Sequence, residues 1–138
     1  MKRASLVVAI AIAGCASAES IRASDPKFSR AYEGEPDRIS ACFVQRGAPA
    51  TDWLGLNAYE LRRGDLYIPG ELVEIGVYRK DLLGLTSRPE WTWTFRKIDA
   101  GATRVELRAR GGLVFPDDPE PYYANVAGCA GPRRIDLE

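Results

Sequence analysis

Histidine is absent from the chain. With no imidazole there is no base of the usual kind to activate a serine or cysteine nucleophile near neutral pH, and zinc or copper would lose their commonest ligand. No Gly-x-Ser-x-Gly elbow occurs, and neither Ser40 nor Ser87 has an activator beside it in the sequence. No catalytic residue, metal ligand or cofactor is therefore assigned. An excess of either charge is also missing: 19 Lys and Arg stand against 19 Asp and Glu, which argues against nucleic acid as a partner. There is no internal repeat and no β-α-β rhythm, so solenoids and doubly wound parallel sheets are set aside. Long apolar runs are lacking too. The run from Leu6 to Ala13 is roughly half of the ~20 residues that a helix needs to cross a bilayer.

That short run sits in a recognisable setting. Lys2 and Arg3 precede it, and small residues follow it into a cysteine, the three-part layout of a signal peptide. Ile12-Ala13-Gly14-Cys15, aliphatic then small then small then cysteine, resembles the lipobox of bacterial prolipoproteins position by position. The alternative is an ordinary cleaved signal peptide with a cysteine beside it by chance. The resemblance covers only the leader. It implies that residues 1–14 are removed, that the Cys15 thiol carries a diacylglycerol and that its new amino group is acylated, by palmitate among other chains. Two or three acyl chains hold a protein on a bilayer nearly permanently, whereas one binds only marginally. By the sorting rule of that family, Ala16 in place of Asp directs the product to the outer membrane, facing the periplasm, rather than to the inner membrane.

Loss of the leader leaves 124 of 138 residues and takes 19 basic side chains to 17 against 19 acidic ones, a formal charge of −2. That length suits one domain with one core, and 46% hydrophobic with 28% charged residues reads as globular. If Cys15 carries lipid, Cys42 and Cys129 are the remaining cysteines, and an extracytoplasmic compartment permits them to pair. A reactive thiol or a metal pair are the alternatives.

Residues 15–35 are expected to be the lipidated cysteine and a flexible tether, being rich in Ser, Gly and Pro, with an added strand through Phe28 and Tyr32 as the alternative. Residues 36–138 are expected to form a single α+β domain. Ile39, Cys42, Phe43 and Arg46 recur at helical spacing between Pro36 and Gly47, which predicts a helix over 36–46 with Cys42 and Phe43 on its buried side. The conformation of 48–57, with Trp53, Leu54 and Leu56, is not assigned. Ala58 to Arg62 and Leu66 to Ile68 suggest two short strands around Gly64-Asp65.

Three clearer strands follow. Val73, Ile75 and Val77 alternate with Glu74, Gly76 and Tyr78; Trp91, Trp93 and Phe95 with Thr92, Thr94 and Arg96; Val105, Leu107 and Ala109 with Arg104, Glu106 and Arg108. Each reads as a half-buried strand with one apolar face. Parity sets the last hairpin. To share a face, opposed residues must sum to an even number, and a three-residue loop Asp99-Ala100-Gly101 pairs Phe95 with Val105, Trp93 with Leu107 and Trp91 with Ala109. Gly101 then takes the left-handed position. Leu113 to Phe115 could add a short strand and Asp117 to Pro121 a helix start, after which Tyr122, Val126 and Cys129 share one helical face up to Gly131-Pro132. The expected fold is an antiparallel sheet of about four strands with two helices on one face, linked by the Cys42–Cys129 disulfide.

Four features could carry function. Arg96, Arg104 and Arg108 fall on the polar face of the last hairpin, Arg96 opposite Arg104 and Thr92 opposite Arg108. They are candidate anion-binding residues, with Glu106 as the simpler source of neutralisation. Asp117, Asp118 and Glu120 could bind calcium, although their spacing matches no known calcium loop, or act as an acid and base pair; carboxylates also suit a helix start. Trp91, Trp93 and Phe95 could stack on sugars, although the alternation places them in a core. Leu82, Leu83 and Leu85 could cap the sheet or form a partner patch. The expected function is that of a membrane-tethered envelope lipoprotein acting as a non-catalytic binding or scaffolding module, its partners the bilayer and another envelope protein. The alternatives are a histidine-free hydrolase using carboxylates and a binder of a small anionic ligand.

Overall fold

The alternating runs pair into the middle of an antiparallel sheet. The computed structural model describes residues 18–49, 59–80, 89–109 and 120–131. In chain order the elements are α1 (Ala18–Arg22), β1 (Phe28–Glu33), α2 (Pro36–Arg46), β2 (Tyr59–Ile68), β3 (Leu72–Arg79), β4 (Trp91–Asp99), β5 (Ala102–Ala109) and α3 (Glu120–Cys129). The strands form one five-stranded sheet in the order β1-β5-β4-β3-β2, every neighbour antiparallel. The architecture is α+β, with one strand more than the alternation alone suggested.

The fifth strand is β1, drawn from the segment expected to be a tether. That expectation is corrected from Ala18 onward: Ala18–Arg22 is helical, and Phe28–Glu33 pairs with β5 from Phe28↔Leu107 to Glu33↔Ala102. Phe28 and Tyr32, four residues apart, lie on one face of the strand and enter the core, and Phe28 stacks on Tyr123 at 4.4 Å. The folded body thus begins at least eighteen residues earlier in the chain than Pro36.

The β4–β5 hairpin has the register that parity requires. Trp91↔Ala109, Trp93↔Leu107, Phe95↔Val105, Arg96↔Arg104 and Thr92↔Arg108 are all opposed as expected. Only the tip differs. The register shifts between Lys97 and Asp99, so Asp99 pairs with Ala102 and the turn shortens to Ala100-Gly101, with Gly101 at φ 74°. The two short strands expected around Gly64-Asp65 are one strand, β2, which runs on through an irregularity between Arg63 and Tyr67.

α2 has the predicted bounds. Pro36 occupies its first turn, where a missing N–H costs nothing, and Gly47 ends it at φ 75°. The acidic residues at its start hold the tips of two hairpins. Glu35 accepts a hydrogen bond from the Gly101 N–H at 3.0 Å and pairs with Lys97 at 3.2 Å, while Asp37 accepts from the Gly70 N–H.

One face of the sheet carries α2 and α3, and the core lies between them. Trp93, Phe95, Val105 and Leu107 meet Ile39 and Phe43 of α2 and Tyr122 and Val126 of α3. Phe43 lies 5.3 Å from Trp93 and 5.6 Å from Phe95, ring centre to ring centre. The Cys42–Cys129 disulfide joins the helices, with the Cα atoms 5.7 Å apart and the two cysteines separated by 87 in the sequence. The sugar platform is thereby set aside, because Trp91, Trp93 and Phe95 are buried beneath the helices. Breaking the disulfide by a double Cys42→Ser, Cys129→Ser substitution releases a long loop in the unfolded chain and is expected to cost about 4 kcal/mol, read as a lowered urea midpoint.

Candidate functional site

The opposite face of the sheet was expected to be solvated. Its middle is covered. α1 lies against β4 and β5 on that side, and Leu72 to Val77 of β3 are buried on both faces, as are Thr92 and Thr94 of β4. A helix of five residues does not hold in water by itself, although Glu19 in its first turn and Arg22 in its last suit the helix dipole. Packing holds it. Ile21 is 1% exposed, and Arg22 reaches across to Glu74 with a bidentate fork, Nε to Oε2 at 2.7 Å and Nη2 to Oε1 at 2.8 Å.

Glu74 sits between Val73 and Ile75 and points to the α1 side. Its side chain is only 3% exposed, against 30% for Arg22. Gly64 makes room for it: a Cβ at that position would collide with the Glu74 carboxylate, which accounts for a glycine at the irregular point of β2. The Glu74 hydrogen bonds hold the Arg22 guanidinium above its ordinary value, against the opposing effect of desolvation. Nearby, burial pushes the Tyr78 phenol up, with Arg62 over its ring at 4.7 Å acting in the other direction.

The chain leaving α1 is stitched to β5. Ser24 Oγ donates to Ala109 O at 3.3 Å, Arg108 Nε donates to Ser24 O at 3.0 Å, and the Lys27 N–H donates to Leu107 O at 2.7 Å. Residues 21–27 are therefore anchored at both ends.

The three candidate anion-binding arginines share this face, as the register required. Glu106 neutralises one of them, Arg108, two residues along its own strand, whose Nη1 donates to Glu106 Oε2 at 2.7 Å. Arg104 donates to Ser29 at 3.4 Å. Arg96 is exposed and makes no hydrogen bond or ion pair among the described residues. A recess of about 110 Å³ is lined by Arg22, Leu66, Glu74, Thr94, Arg96 and Arg108, which brings together two of the three candidates but not Arg104. A wider cavity of about 370 Å³ lies at the end of the sheet between Ile68, Leu72 and the 96–100 turn, and Arg96 borders both.

Arg22 and Glu74 were missed by sequence reasoning. The available signal was the acid inside an otherwise apolar strand, Val73-Glu74-Ile75, which calls for a cation brought to it from outside the sheet. Of the acidic trio, Asp117 and Asp118 lie outside the described residues, and Glu120 opens α3. Leu82, Leu83, Leu85, Leu113 to Phe115, Trp53, Leu54 and Leu56 also lie outside them, as does Cys15. Among the described residues no group of three or more His, Cys, Asp or Glu is placed to hold a metal, and no helix is long and apolar enough to cross a membrane. No family model, curated protein or solved structure matches the chain.

The ion pair has an asymmetric failure. Arg22→Ala leaves a buried carboxylate with no partner and is expected to cost about 3 kcal/mol. Glu74→Gln keeps the shape and one acceptor, and leaves a guanidinium that water can reach, for about 1 kcal/mol. Chemical denaturation of the two variants checks the order.

Proposed function

We propose that the chain is a lipid-anchored protein of a bacterial envelope, attached through Cys15 and acting as a binding or scaffolding module rather than as a catalyst. The observation that carries the reading is the disposition of the three cysteines. Cys42 and Cys129 are joined to each other across the helical layer, a bond that persists in oxidising compartments. The third cysteine is the one in the lipobox-like Ile12-Ala13-Gly14-Cys15. A leader that exports the chain, a thiol reserved for lipid and a disulfide suited to the far side of the inner membrane all agree. The outer membrane, on its periplasmic side, is the destination that Ala16 favours. The partner in this reading is another envelope protein.

Intact-mass analysis of the protein extracted from membranes of a diderm bacterial host should show the acylated product beginning at Cys15, and Cys15→Ser should abolish the acyl mass and release the domain from the membrane fraction. An unmodified Cys15 in the wild-type protein would sink the reading.

A second reading rests on the recess beside Arg96. Two of its guanidiniums already hold carboxylates, while Arg96 retains its full donor set for a small oxyanion such as phosphate. Inorganic phosphate should then raise the melting temperature in a salt-sensitive manner, and Arg96→Ala should remove the effect. Equal stabilisation of both proteins would exclude a specific site there.

A further inference from the structure

The α1 side of the sheet carries a row of side chains running straight across four strands. Ile68 opposes Leu72, Leu72 opposes Arg96 and Arg96 opposes Arg104, all on the face to which Glu74 points. The exposed members are Ile68, at 45%, and Arg96. An aliphatic side chain and a guanidinium bordering one cavity, two strands apart on the same face, are suited to the headgroup layer of a bilayer, where one reaches toward the acyl chains and the other bonds lipid phosphate.

The position of Cys15 decides what meets this face. Only three residue steps separate it from Ala18, the first residue of α1, and three steps of fully extended chain reach at most about 11 Å. α1 itself does not swing freely. It is fixed to the sheet by Ile21, by the Arg22–Glu74 fork and by the bonds from Ser24 and Lys27 to β5. An acyl chain at Cys15 enters the bilayer at the headgroup boundary, so the element bolted to the sheet is held within about a helix diameter of the lipid.

We infer that the α1 face of the sheet is the surface laid against the bilayer, with the phosphate headgroups as its occupant, and that the layer of α2 and α3 is turned away from the membrane. This orientation rests on the acylation of Cys15 proposed above. A tether spanning 15–35 would have let the domain tumble, whereas a spacer of this length selects one side.

The acylated full-length protein in phosphatidylethanolamine–phosphatidylglycerol vesicles tests it. Single cysteines are introduced at Ile68 on the α1 face and at Gln45 on the exposed side of α2, with the native disulfide intact. Each is labelled with a fluorophore and quenched by headgroup-borne nitroxides. Quenching should be several-fold stronger at Ile68→Cys than at Gln45→Cys. A glycine-serine insertion between Ser17 and Ala18, upstream of every fixed contact, should abolish the difference while leaving acylation and folding unchanged. Equal quenching in acylated protein, stronger quenching at Gln45→Cys, or a difference that survives the insertion would each overturn the orientation alone. Absence of acyl mass would overturn both the orientation and the anchoring on which it rests. Protection of Ile68→Cys from aqueous quencher without any lipid quenching would mean that a protein covers the face, and would overturn it as well.

Discussion

A carboxylate placed in the middle of a sheet that is buried on both sides must be given a cation, and that requirement organises one half of this molecule. Glu74 lies on β3 between two core residues, and burying it without a partner would cost several kcal/mol. The partner comes from outside the sheet, from Arg22. To deliver it, the chain before β1 has to fold back across β4 and β5, which buries Ile21 and covers Thr92 and Thr94. Gly64 and the irregularity in β2 create the space that the carboxylate occupies. One acidic residue thus accounts for α1 and for the local shape of β2.

The other half depends on aromatic packing closed by a covalent bond. Phe43 and Tyr122, from separate helices, meet at Trp93, and the disulfide fixes those helices to each other one residue away from Phe43. α2 is also tied to the sheet through its start, where Glu35 and Asp37 accept the N–H groups of Gly101 and Gly70. These glycines, at φ 74° and 72°, turn their amides toward the helix. Helix start, hairpin tips and core therefore form a single connected unit, in which no element is held by one kind of interaction alone.

Much of that second half was legible in the sequence. α2 could be bounded because proline at its start and glycine at its end are physical signals at those positions, and the β4–β5 register could be solved because a one-residue slip exposes two tryptophans. The disulfide was the expected pairing once Cys15 was set aside for lipid, with a reactive thiol or a metal pair as the alternatives, and the two helices do bring Cys42 and Cys129 together. The first half was harder to read. β1 is an outer strand whose burial does not alternate, since Ala31 and Tyr32 are buried on opposite faces, and its Ser, Pro and Gly neighbours have the composition of a linker. α1 is too short for periodicity to register. Glu74 was seen as one polar residue in an alternating strand, and local pattern does not reveal that a distant arginine covers it. For the same reason the register of the arginine face was legible while the Arg108–Glu106 pair along one strand was not. Register follows from backbone parity, but which side chains meet on a face depends on their reach.

The irregularity in β2 reaches beyond Glu74. Among the described residues β2 and β1 are the two outermost strands, each paired along one side of its backbone. β2 has its break where Arg62, Arg63 and Asp65 are exposed, and β1 is six residues long with exposed Ser29, Arg30 and Glu33. A kinked, charged margin is a poor template for strand addition by a second chain. Copies of the chain brought together at high concentration would meet margins that resist zippering into continuous sheets.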